Sequence, residues 1–120
     1  MSGDDILNVM RSARLQQDHS GCFVANRNDQ TSFKVVNGKS PGIFSWDEFI
    51  YQRIHSLAFI MVLDQVDEPK AAFKEMLGTV HNVAHQLNAN IYDENRNLLT
   101  QSVVSEYLLR IKNHQNVDQR

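Results

Sequence analysis

One cysteine in 120 residues removes the disulfide scaffold as a basis for the fold, because Cys22 has no partner within the chain; this fits a reducing cytosol. Long apolar runs are missing as well. The longest, Leu57 to Leu63, is seven residues, against the roughly 20 that a membrane-spanning helix needs. No basic region followed by an apolar core opens the chain, so no secretory signal is expected. Neither sign of charge dominates. With 12 basic and 14 acidic residues the formal charge is −2, which argues against a phosphate-neutralising surface and so against nucleic acid as partner. What is present is ordinary: 42% hydrophobic and 22% charged residues, in a length typical of one globular domain. The expectation is a single cytoplasmic domain over residues 1–120, making no membrane contact of its own.

Local patterns place the elements. Ile6, Val9, Met10 and Ala13 recur at three- and four-residue spacing and predict a helix from about Asp4 to Gln16, stopped by the turn chemistry of Asp18-His19-Ser20-Gly21. Two β-like runs follow, Cys22 to Ala25 and Ser32 to Val36. They read as a hairpin whose register the polar stretch Asn26 to Asp29 leaves open. Ser40-Pro41-Gly42 is a break, and Ser45 to Phe49 reads as a short helical turn capped by Ser45. Leu57 to Leu63 is apolar at every position, the pattern of a strand with both faces shielded from water rather than of an edge strand. Asp67-Glu68-Pro69 opens a long helix with the stripe Phe73, Met76, Leu77, Val80, Val83, Ala84 and Leu87. A short extended piece, Asn90 to Tyr92, and a polar turn, Asp93 to Asn97, precede a last helix. Thr100 caps it, and Val104, Tyr107, Leu108 and Ile111 form its buried face; the polar tail 113–120 is expected to fray. Hairpin-like neighbours with intervening helices favour an α+β sandwich, a mostly antiparallel sheet with its helices gathered on one side.

No catalytic constellation emerges. His81 and His85 sit four apart on one helix, but Asn82-Val83-Ala84 lies between them, without the glutamate base of a zinc hydrolase or a third ligand, so no metal is expected. Cys22 in a β-like run reads as a small hydrophobe rather than a nucleophile. Asp47-Glu48 and Asp93-Glu94 are adjacent carboxylates in turns, with no apolar pocket to separate their acidities. Gly38, Gly42 and Gly78 form no phosphate cradle, and no cofactor is expected. Phe23 and Phe59 are single aromatics without the basic surround of an RNA-binding sheet.

The remaining feature is the sheet. On the run 57–63 the bulkier parity, Leu57, Phe59, Met61 and Leu63, suits the helical stripes, which leaves Ala58, Ile60 and Val62 facing away. Cys22, Val24 and Val36 can lie on the same outward face. An uncovered apolar face is a candidate interaction surface; the competing reading is that the tail, the segment 40–55 or a second copy covers it.

These residues also carry a resemblance. Phe73-Lys74-Glu75-Met76-Leu77, Val83-Ala84, Asp93-Glu94-Asn95-Arg96, Leu99-Thr100 and Glu106-Tyr107 resemble, in collinear order, the C-terminal domain of the ZipA family of bacterial division proteins, which bind FtsZ. Gly3 to Arg27 is similar to that domain's first helix and following strand, and Asn37 with Pro41-Gly42-Ile43-Phe44 is similar to its proline–glycine turn. The resemblance implies a split β-α-β fold with three helices on one side of an antiparallel sheet, and a non-enzymatic domain. On that domain the opposite face holds the C-terminal tail peptide of FtsZ. Carried over by position, the peptide-binding residues are Cys22, Val24, Val36, Ala58 and Ile60, with Arg96 at the rim and Lys39 as a charge contact. The family is tethered to the inner membrane at the division site by an anchor and linker that this sequence does not contain. The family's opening strand also has no counterpart in Met1 to Asp5. An unfilled place in the sheet invites strand addition or a homodimer, so a dimerisation module using the same face or that gap is the alternative.

Overall fold

The structure is a computed structural model that describes the backbone of residues 1–118 and the side chains of residues 1–114. Helix α1 spans Gly3–Ser12 with Asp4 and Asp5 in its first turn, and Ser2 is its cap: the hydroxyl accepts from the Asp5 N–H at 3.1 Å. Gly3 stands here because a Cβ would lie 1.6 Å from the Phe49 carbonyl oxygen. The helix ends earlier than its periodicity suggests, since Arg14 turns into the left-handed region at φ 64°. The chain then enters β1 (Gln16–Asp18), a three-residue strand that the polar sequence concealed.

Strands β2 (Cys22–Arg27) and β3 (Gln30–Asn37) form the expected hairpin, and both run longer than expected. The turn is two residues, Asn28 and Asp29, both at positive φ (52° and 63°). Such a turn matches the twist of the flanking strands. A register shift between Ala25 and Asn26 lets the polar residues still pair. The segment from Ser45 does turn, the Glu48 N–H donating to the Ser45 carbonyl at 3.2 Å, and it winds into a 3₁₀ turn only at Phe49–Tyr51, whose cap is Glu48, without a side-chain capping bond. Strand β4 is Leu57–Ile60; beyond it the chain leaves the sheet and forms a second 3₁₀ turn at Leu63–Gln65.

The sheet is antiparallel throughout, in the order β1-β2-β3-β4. The strand read as doubly shielded is therefore an edge strand, and half-exposed: Ile60 retains 39% of its accessible surface. Continuous apolarity was compatible with either placement, because pairing depends on where distant segments go. The extended piece at Asn90–Tyr92 does not reach β4, and pairs only through one bridge from Tyr92 to Leu98.

Helix α2 (Pro69–Leu87) begins with proline in its first turn and ends at Asn88, left-handed at φ 53°. Helix α3 (Gln101–Asp118) is capped as predicted by Thr100, whose Oγ1 accepts from the Val103 N–H at 3.3 Å. It continues through 113–118, where a frayed tail was expected; residues 119 and 120 lie outside the described residues. Phe23, Ala25, Phe33 and Val35, on one face of the sheet, pack with Ile6, Val9 and Met10 of α1 and Val83 of α2. Phe23 is fully buried, edge-on to the rings of Phe44, Trp46 and Phe49. A second cluster joins α2 to α3 through Phe73, Val104 and Ile111, and Met61 and Met76 touch both. The result is an α+β domain with its core on one side of the sheet.

Candidate functional site

Strand register decides what lies on the other side. Gln16 pairs with Val24, Val24 with Lys34 and Lys34 with Ile60, so these four side chains form one row across all four strands. Val36 pairs with Ala58 in the neighbouring row, and Asp18 with Cys22 at the β1 end. The five face residues expected from parity, Cys22, Val24, Val36, Ala58 and Ile60, therefore do share a face opposite to Phe23. None of them belongs to either buried cluster. The segment 40–55, a possible cover, instead turns inward: Phe44, Trp46 and Phe49 pack on Phe23, and Trp46 Nε1–H donates to the Asp18 carbonyl at 2.7 Å.

The five are not equivalent. Cys22 is 7% exposed, with Sγ 3.6 Å from Ser20 Oγ and 3.9 Å from Asp18 Oδ2, so it backs the face more than it offers surface. Val24, Val36 and Ala58 are half-buried, and Ile60 is the large exposed member. Lys34 was overlooked. It shares parity with Val36, which was the available signal, and stands half-buried between Val24 and Ile60. Its aliphatic stem adds apolar area while the ammonium stays at the surface. At the β1 end, the Ser20 hydroxyl donates to Asp18 Oδ2 and, as the largest cause, holds that carboxyl below its ordinary value; the charge of His19, 3.2 Å away, acts in the same direction.

Lys39 and Arg96 do not sit on the face proper. They line a groove beside β4, together with Ala58 and Ile60. Lys39 is exposed, its N–H donating to Asn37 Oδ1 at 3.0 Å. Arg96 is exposed at φ 65° in a turn organised by Asp93, whose Oδ1 accepts from the N–H groups of Asn95 (2.8 Å) and Asn97 (3.0 Å). His81 and His85 are both exposed on α2, and among the described residues no three His, Cys, Asp or Glu side chains are placed to hold a metal ion. No described helix is long and apolar enough to cross a membrane.

An apolar, cation-bearing sheet face opposite the core belongs to a domain of the α+β class. Residues 1–110 match the family described as "ZipA, C-terminal FtsZ-binding domain", and the chain belongs to that family. It is similar to the cell division protein ZipA of Pseudomonas aeruginosa (strain LESB58), with 31% identity over 88 residues, covering 73% of this chain and 30% of the relative. The ZipA of Pseudomonas putida (strain W619) is 32% identical over 79 residues, covering 66% and 27%. That of Azotobacter vinelandii (strain DJ) is 29% identical over 84 residues, covering 70% and 30%. The match thus spans about 30% of the length of these curated relatives.

Proposed function

We propose that this domain is a non-enzymatic module of the bacterial division machinery that holds the C-terminal tail peptide of FtsZ on the sheet face opposite its core. The observation that carries this reading is the row Gln16–Val24–Lys34–Ile60 with the adjacent pair Val36–Ala58, whose apolar members lie outside both buried clusters. Membership of the FtsZ-binding family supplies the partner. Val24, Val36, Ala58 and Ile60 desolvate the apolar side chains of the tail over a floor that Cys22 completes. Lys34, with Lys39 and Arg96 at the β4 margin, orients its acidic groups. The domain works on the cytoplasmic side.

Full burial of one Ile or Val side chain contributes about 1.5–3 kcal/mol before the cost of association. A face this small therefore supports micromolar affinity, about −8 kcal/mol. Titration of the purified chain with a labelled FtsZ tail peptide tests the reading. Micromolar, saturable binding supports it, and no binding at millimolar peptide refutes it. Self-association through the same face is the competing reading, which a sedimentation coefficient independent of concentration excludes.

A further inference from the structure

The two rows of the sheet face carry one charge each, and the charges have opposite sign. Lys34 stands in the row Gln16–Val24–Lys34–Ile60. The neighbouring row starts at Asp18, which pairs with Cys22. One step past the Phe23–Val35 pair the ladder sets Cys22 across from Val36, and Val36 pairs with Ala58. Paired residues of an antiparallel ladder share a face, so Asp18 is the one carboxylate in these two rows.

Asp18 is firmly placed. Its carbonyl accepts from the Gly21 N–H at 3.0 Å and from Trp46 Nε1–H at 2.7 Å, and its Oδ2 accepts from the Ser20 hydroxyl. That hydroxyl is also the largest cause that holds the carboxyl below its ordinary pKa, and so keeps it ionised. The side chain retains 33% of its surface, and its one ion partner among the described residues is the fully exposed His19. No Lys or Arg of the described residues neutralises it. Lys34 lies two strands across and two residues along, about 12 Å away at a strand spacing of ~4.8 Å and a rise of ~3.4 Å, too far for a direct ion pair. Val24, Cys22 and Val36 occupy the ground between the two charges.

Taking the face as the FtsZ-tail site, we propose that Asp18 receives a basic side chain of the bound segment, while Lys34 receives an acidic one. The face then selects a peptide with one charge of each sign separated by apolar residues. An extended segment spans the gap in about four residues and a helical one in about eight, at ~3.3 and ~1.5 Å per residue. A segment laid down in the reverse sense sets like charges together at both ends, so the pair fixes direction as well as composition. A purely acidic tail gains at Lys34 and is repelled at Asp18.

A double-mutant cycle tests this. The parent chain and Asp18→Asn, which keeps an acceptor for the Ser20 hydroxyl, are titrated with the FtsZ tail peptide and with versions in which each Lys or Arg is replaced in turn by Gln. One replacement is expected to weaken binding to the parent about threefold and to leave binding to Asp18→Asn nearly unchanged, a coupling that shrinks at about 500 mM salt. A role confined to the Asp18–Gly21 turn does not produce that coupling. On the parent chain, the Asp18 carboxyl carbon shift moves on saturation with the unaltered tail and not with that Gln peptide; this measurement decides the matter if Asp18→Asn does not fold. A tail without a basic residue, effects that simply add, or an unmoved carboxyl shift each overturn the proposal. Additive effects in a chain whose tail binding depends on Ile60 sink this inference alone, whereas a parent that binds no tail sinks the reading of the face and this inference with it.

Discussion

Lys34 stands directly opposite Ile60 in the β3–β4 ladder, and directly opposite Val24 on its other side. A cation between Val24 and Ile60 makes the face selective as well as adhesive, because it rewards an acidic group seated beside apolar side chains and penalises a basic one. Lys34→Glu is expected to weaken the FtsZ tail at least tenfold, whereas Lys34→Met, which keeps most of the apolar stem, flattens the salt dependence of binding with a smaller loss. Titrations at about 50 and about 500 mM salt read both effects. A salt dependence identical in all three proteins removes Lys34 from the site.

Ile60 is the most exposed large side chain of the face, and it sits at the end of the row. With 39% of its surface left to desolvate, its share of the roughly 1.5–3 kcal/mol for full burial is about 0.6–1.2 kcal/mol, and Ile60→Asp, which also sets a carboxylate against the acidic groups of the tail, is expected to weaken tail affinity at least tenfold. Because the residue lies outside both clusters, the circular dichroism spectrum and unfolding midpoint stay near those of the parent. Retained affinity removes the face as the binding site.

Phe23 holds the opposite side. It is fully buried and meets three aromatic rings with centroids 5.1 to 5.7 Å away. Phe23→Ala leaves a cavity that the surrounding rings close only in part, and about 3–5 kcal/mol of stability is expected to go with it in urea denaturation. A loss under about 1 kcal/mol contradicts the central place given to this cluster.

Asp18 provides a pH test. The Ser20 hydroxyl is the main cause that lowers its pKa below 3.8. A carboxyl depressed in the folded state stabilises the fold above the ordinary value, and that contribution disappears as pH falls through the lowered one. Ser20→Ala is expected to return the Asp18 titration toward 3.8, followed by the carboxyl carbon shift in NMR. An unmoved titration shows that the hydrogen bond is not the cause.

What was readable in advance was local. The three-and-four spacing of Ile6, Val9 and Met10, the proline at the start of α2 and the cap at Thr100 each depend on residues within one or two turns, and each is found in the structure. Side-chain parity is equally local, so Val24, Val36, Ala58 and Ile60 could be assigned to one face before any partner strand was known. Lys34 was open to the same argument but was passed over, because charge is ordinarily taken as a sign of solvent rather than of a site. Gln16–Asp18 carries no apolar signal and becomes a strand only because β2 lies beside it. Arg96, in a turn at φ 65°, and Lys39 line the same groove from 57 positions apart in sequence, which no periodicity encodes.

The sequence by itself determined the helices, the alternation of the strands and hence the existence of two unlike sheet faces, because these follow from backbone geometry over a few residues. Only the tertiary structure decided that β4 closes the sheet, that Asn90–Tyr92 stays apart from it and that a groove lies between them. Strand pairing joins segments far apart in the chain, and an apolar run is equally content against a neighbouring strand or beside a groove.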